Sequence, residues 1–384
     1  RLERVHGLVQ GYVDDAKCSG AITLIARDGK IVDARTYGYR DVAAKLPLER
    51  DSLIYIYSLT KPVIAVLTLM LWEEGRFNLD DPVAQYLPEF KELKVATGPP
   101  DAPQLEVARP VTIRHLLTHS SGFSYDWNAT PAVAPAYKQV DLPGFPTLPE
   151  FARALAGIPL NHQPGDAFLY GHNFDVLGYL IEKLTGQPLE TVLQERLCGP
   201  LQLRDTFFTI PAEKRSRLAT VHRRDAAGGL VPEKPDPVTA RARGGNSFPS
   251  GCGGLVSTAD DYARFAQMLL NRGELDGVRL LAPKTVALMT SDHLKQIKTP
   301  TTFMGPAGTY GLGVGVWSAG SGSDSPGSAG RFGWTGFATT YCNIDPVEGT
   351  IALVFAQHVP YDEFGLFPRF STTFYQAILT SWAK

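Results

Sequence analysis

The sequence predicts an α+β protein: one antiparallel sheet assembled from both chain ends, flanked by helices, with a mostly helical lobe inserted between them. Three observations carry this. Residues 21 to 41 and 337 to 359 each read as a β-hairpin. Each hairpin has an amphipathic helical pattern on its outer side, at a chain terminus. Helical patterns dominate from about residue 59 to residue 290. The implied division is an α/β lobe of residues 1–58 and 291–384, and a helical lobe of residues 59–290.

The elements follow in order. "RLERVHGLVQGYVDDAK" at the start reads as an amphipathic surface helix. In "AITLIARDGKIVDARTYGYRD" two alternating runs are joined by Asp28-Gly29, a dipeptide suited to a tight primed turn. "PVIAVLTLMLWEEG" is apolar on every face, as a helix at the centre of a protein is, and Gly75 suits its C-cap. "TIRHLLTHSSG" begins with Thr112 as an N-cap and is expected to end at Gly122. "NFDVLGYLIEKLTG" stops at Gly186. "STADDYARFAQMLLNRG" has Ser257 or Thr258 as its cap and Gly273 as its stop. The second hairpin, "FATTYCNIDPVEGTIALVFAQHV", turns at Pro346 to Gly349, and a last helix is expected from about Phe370 to Ala383. Three loops stand out: a proline- and aromatic-rich one at 123–150, a glycine-rich one at 244–255, and a glycine–serine one at 320–330.

Composition excludes several classes. The chain has 384 residues, 44% hydrophobic and 20% charged, the profile of a globular protein with a sizeable core. Thirty-seven basic residues against 39 acidic ones, without runs of like charge, give no footprint for nucleic acid or an anionic membrane. The longest apolar stretch, Pro62 to Trp72, is too short to span a bilayer. Cys18, Cys198, Cys252 and Cys342 are widely spaced, which is neither a disulfide framework nor a zinc knuckle. They are expected to be small buried hydrophobes, and the expected location is the cytoplasm, a removed leader being left open.

Chemistry enters at "IYSLTKPV". Ser58 and Lys61 are at i and i+3, one turn apart on the same helix face. Pro62 is tolerated only in a helix's first turn, so the helix must begin near Ser58. That puts a hydroxyl at a positive helix end, where backbone N–H groups can serve an oxyanion. A buried lysine beside it can act as a base, because desolvation disfavours its charged form. The plain alternative is a serine N-cap, since Ser-x-x-Lys is expected about once by chance in a chain this long. Other nucleophile systems fare worse. Gly-x-Ser-x-Gly is absent, the nearest approach being Gly122-Phe-Ser124-Tyr-Asp126. His115 and His119 have no glutamate between them, so they are expected to make structural hydrogen bonds.

The order of further segments decides between the two readings of Ser58. "YSLTKP", "LTHSSG", "YGHNFDVLG", "GGLVSTADDYARF" and "GWTGF" follow one another along nearly the whole chain. In this the sequence resembles the serine β-lactamase and penicillin-binding-protein superfamily, and within it the class C β-lactamase-like carboxylesterases (family VIII esterases). The resemblance implies a β-lactamase/DD-peptidase-like fold with the active site between the two lobes. It makes Ser58 the nucleophile and Lys61 its partner base. Tyr170 matches the tyrosine that shuttles protons with the lysine; near an ammonium group a tyrosine can take the serine proton and later activate water. The backbone N–H groups of Ser58 and Phe337 would form the oxyanion hole. Tyr125, His172, Trp334 and Gly336 would line the substrate site.

Two departures bear on the substrate. Where β-lactamases have Tyr-x-Asn, His172 stands in place of the asparagine and Asn173 follows. Where they have Lys-Thr-Gly, this chain has Trp334-Thr335-Gly336, replacing the cation that anchors a substrate carboxylate by a neutral aromatic. Arg331 is the nearby cation that could substitute in part. The expectation is therefore a serine carboxylesterase acting on small, short-chain, mostly uncharged esters, with no metal or organic cofactor and no nucleic-acid or membrane partner. The oligomeric state is left open. The alternatives are a β-lactamase or D-amino-acid peptidase, an acyltransferase that excludes water, and a non-catalytic binding protein on the same fold.

Overall fold

The computed structural model describes residues 1–381 except 235, 300, 302, 306 and 319–325. Its centre is an eight-stranded antiparallel sheet. The first hairpin is β1 (Gly20–Arg27) and β2 (Lys30–Asp41), followed by a short β3 (Leu46–Pro47). Asp28 and Gly29 both adopt positive φ, as the primed turn requires. The C-terminal part adds β4 (Gly308–Tyr310), β5 (Gly315–Trp317), β6 (Arg331–Gly336), β7 (Thr340–Asp345) and β8 (Thr350–Ala356). The strand order is β4-β5-β6-β7-β8-β1-β2-β3, so the two chain ends meet where β8 pairs with β1, Ala21 opposite Ala356 and Arg27 opposite Thr350.

β1 and β8 are buried almost throughout because helices cover both faces of the sheet. Alternate residues serve the two sides. Ala21 and Ile25 pack with Val5, Val9 and Tyr12 of helix α1 (Glu3–Asp14) and with the C-terminal helix. Ile22 and Leu24 join the large core on the other face. That core holds α2 (Thr60–Glu73), whose residues from Thr60 to Leu69 are all buried, as its uniformly apolar sequence requires. It also holds α4 (Asn173–Thr185) and α5 (Ala259–Leu270); the short α3 (Ile113–Leu117) precedes them. Gly186 ends α4 in the left-handed conformation, and Thr258 caps α5 by accepting from the Asp261 N–H.

Two boundaries and one set of elements differ from the sequence expectation. α3 ends at Leu117 rather than Gly122, because His119 takes a positive φ and turns the chain. The last helix, α6, is Leu366–Tyr375, set by the burial of Leu366, Phe367, Phe370 and Phe374 against the sheet. The inserted segment also contains β-ribbons, Lys94–Thr97 with Gln104–Val107 and His222–Arg224 with Leu230–Pro232, beside its helices. Among the described residues no helix is long and apolar enough to cross a membrane.

Candidate active site

Ser58 lies in a single 3-10 turn, Tyr57–Leu59, and α2 proper starts two residues later with Pro62 in its first turn. Tyr57 has φ of 45°, a costly conformation for a bulky residue. Its ring is held between Tyr55 and Phe337, with centroids 6.2 and 5.7 Å away. The strained turn leaves Ser58 partly open to a cavity while Lys61, one turn on, is fully buried.

Lys61 Nζ donates to Ser58 Oγ at 3.0 Å and to the Cys252 carbonyl at 2.7 Å. It also stands over the Tyr170 ring, 4.5 Å from the centroid. The sequence-predicted trio is therefore brought together by two separate segments, with the Cys252 carbonyl contributed by a third. Trp334 adds a fourth member: its indole N–H donates to the Tyr170 hydroxyl at 3.1 Å. Indole offers a donor only, so the Tyr170 oxygen must accept.

Strand β6 reaches the Ser58 turn through Gly336. A Cβ there would stand 2.3 Å from the Ile56 carbonyl, so only glycine permits the approach. Phe337 follows immediately and lines the cavity. Trp334 and Gly336 were expected to touch substrate, but neither lines the cavity. Trp334 is packed behind Tyr170, edge-on to Tyr310 at 5.0 Å, and Gly336 lies against the turn. Arg331 does not replace the missing cation. Its guanidinium donates to the Gly327 and Ser328 carbonyls in the buried start of β6. Residues 320–325 of the glycine–serine loop lie outside the described residues.

The cavity has a volume of about 700 Å³. Its outer wall is the proline- and aromatic-rich segment, which supplies Tyr125, Trp127, Tyr137 and Leu142. Trp127 stacks on Tyr125 at 5.8 Å. Asp126, Asp141, Asp175 and Asp236 line it with one lysine, Lys138, so its charge is predominantly negative. Asn173, next to the position where the family pattern has asparagine, points away, to Ser121 and His119. His172 faces the cavity instead, its Nδ1 held at 2.8 Å by Asp175.

Asp175 was not singled out from the sequence, although its spacing of three from His172 in the first turn of α4 was a usable signal. It accepts from Ser250 Oγ at 2.7 Å and from the Cys252 N–H at 3.0 Å, anchoring the turn whose carbonyl receives Lys61. Burial alone would raise its pKa. Hydrogen bonds from His172, Ser250 and the Cys252 amide outweigh burial and hold it below the usual carboxylate value. His119 and His115 are structural, as expected. His119 Nδ1 lies 2.8 Å from the Asn173 amide, and burial followed by the nearby Lys61 charge lowers its pKa well below normal. All four cysteines are free and buried.

The profile of the family described as "Beta-lactamase" matches residues 5–368. The chain belongs to the beta-lactamase family. The chain is 36% identical to Protein Rv1367c of Mycobacterium tuberculosis (strain ATCC 25618 / H37Rv), covering 92% of this chain and 89% of that protein. It is 31% identical to Esterase EstB of Burkholderia gladioli, covering 87% and 84%. Among solved structures it resembles "EstCE1, a hydrolase with promiscuous acyltransferase activity", with a TM-score of 0.82, 27% identity and 98% of each chain covered. Within the beta-lactamase family this chain is thus a serine hydrolase of the esterase and acyltransferase kind.

Proposed function

We propose that this member of the family is a carboxylesterase for short-chain, mostly uncharged esters, with Ser58 as nucleophile. The observation that carries the reading is the contact of Lys61 with Ser58 at 3.0 Å beneath a tyrosine whose partner is a neutral tryptophan rather than a cation. Ser58 Oγ attacks the ester carbonyl as its proton passes to the Lys61–Tyr170 pair, and the Ser58 and Phe337 amides receive the oxyanion. The proton then goes to the leaving alcohol. Water, deprotonated through Tyr170, releases the acid and restores the serine.

The predominantly negative lining and the committed guanidinium of Arg331 leave a carboxylate-bearing β-lactam without an anchor. Nitrocefin is therefore expected to turn over far more slowly than p-nitrophenyl butyrate, and comparable rates would overturn the ester assignment. An acyl-chain series from acetate to decanoate tests the short-chain preference. Ser58→Ala is expected to abolish the burst of p-nitrophenol and steady turnover; a variant hydrolysing the ester at the parent rate would remove Ser58 from the mechanism.

Acyl transfer is the second reading, favoured by a cavity of about 700 Å³, ample for an acceptor beside a short acyl group. Transferred product on adding an alcohol acceptor separates it from simple hydrolysis. The same proposal keeps the two-lobed division, residues 1–58 with 291–384 against 59–290, with catalysis between them. It also keeps a cytoplasmic location, supported by four unpaired buried thiols.

A further inference from the structure

Beside the Ser58–Lys61–Tyr170 contact, three side chains of different chemistry meet in the cavity wall. An imidazole nitrogen of His172, a carboxylate oxygen of Asp175 and the Cys252 thiol lie within 4.8 Å of one another. They come from the turn after Tyr170, the first turn of α4, and the glycine-rich turn at 251–254. All three are buried, yet all three line the cavity, so one side of the cluster is open to an entering ion. Three ligands with an open position is the arrangement zinc-class ions take when not purely structural. The nitrogen, oxygen and sulfur donor set selects against magnesium and calcium, which take oxygen ligands.

The dimensions agree. Such an ion holds nitrogen and oxygen at about 2.1 Å and sulfur at about 2.3 Å, which sets tetrahedral donors roughly 3.4 to 3.6 Å apart. His172 Nδ1 and Asp175 Oδ2 are 2.8 Å apart and all three donors lie within 4.8 Å of one another, a range that includes the required spacing. The outer support also exists. The other oxygen of Asp175 accepts from Ser250 Oγ and the Cys252 N–H, which orients the carboxylate.

We propose that His172, Asp175 and Cys252 bind one thiophilic divalent cation of the zinc class. The ion takes the place of the Nδ1–H between His172 and Asp175, whose proton moves to Nε2 on the cavity side, and the thiol releases one proton to solvent. The Cys252 carbonyl receives Lys61 at 2.7 Å, so occupancy also perturbs the base and lowers turnover.

The test titrates the chelator-treated full chain with Co²⁺, followed by the near-ultraviolet thiolate-to-cobalt charge-transfer band, and measures Zn²⁺ uptake by equilibrium dialysis. The expected result is one ion per chain and a band that is lost in Cys252→Ala and in His172→Gln. Cys198→Ala, which removes a buried thiol elsewhere, is expected to keep it. A band that survives Cys252→Ala, or no stoichiometric uptake by the parent chain, would overturn the proposal. Circular dichroism checks that each variant folds, and two ligand variants keep the outcome readable if one does not. Binding is read without substrate, so it stands or falls separately from the esterase reading.

Discussion

The indole of Trp334 and the hydroxyl of Tyr170 come from positions 164 residues apart, and their 3.1 Å hydrogen bond has a direct chemical consequence. The indole N–H occupies one lone pair of the phenolic oxygen and so fixes the direction in which the Tyr170 hydroxyl can present its own proton. Trp334→Phe keeps the ring that packs on Tyr310 but removes the N–H. Such a hydrogen bond is worth about 0.5–1.5 kcal/mol, so on the proposed mechanism kcat is expected to fall about 2- to 10-fold with the fold intact. An unchanged kcat on p-nitrophenyl butyrate would show that the indole only packs. The tryptophan itself could be read from the sequence as a lost cation. Its partner could not, because no local spacing relates residues 170 and 334.

At the scale of elements, α3 shows how a local signal and its tertiary setting combine. Thr112 accepts the His115 N–H and His115 Nδ1 accepts the Thr112 N–H, each at 3.2 Å, a reciprocal cap that needs a neutral ring. Burial lowers the His115 pKa from 6.5 to about 4, with Asp80 pulling the other way and Arg109, Arg114 and His162 reinforcing the shift. The unfolded chain therefore takes up the proton first. The stability contributed is present above about pH 6.5 and is lost as pH falls through about 4. His115→Gln removes that titration, so the melting-temperature advantage of the parent is expected to shrink between about pH 7 and 4. A constant difference across that range would count against the neutral cap. Thr112 was legible as a cap. The early end of α3 was not, since it rests on the positive φ of His119, whose ring packs against Tyr170, Phe174 and Tyr310.

At the scale of the whole molecule, the sheet closes by pairing the two chain ends, so the last helix is part of the core. Phe370 is fully buried and packs with Tyr341 and Phe374. Phe370→Ala is expected to cost about 3–5 kcal/mol. That would appear as a lower urea midpoint at constant slope, and a midpoint unchanged would mean α6 is peripheral to folding. The hairpins at 21–41 and 337–359 were readable because alternation and Asp28-Gly29 are local. β4 and β5 were missed because they are three residues each and interrupted by glycines, and only their neighbours make them strands. Taken alone, the sequence determined the start of α2 through Pro62, the Ser58–Lys61 face, the terminal hairpins and the absence of a cation at position 334. Periodicity, caps and residue chemistry act over a few neighbours and so can be read in one dimension. The tertiary structure decided that Cys252 and Asp175 support Lys61, that Trp334 serves Tyr170 rather than the cavity, and that residues 125–143 wall the site. Those contacts join segments tens to hundreds of residues apart, and packing of the whole core selects them.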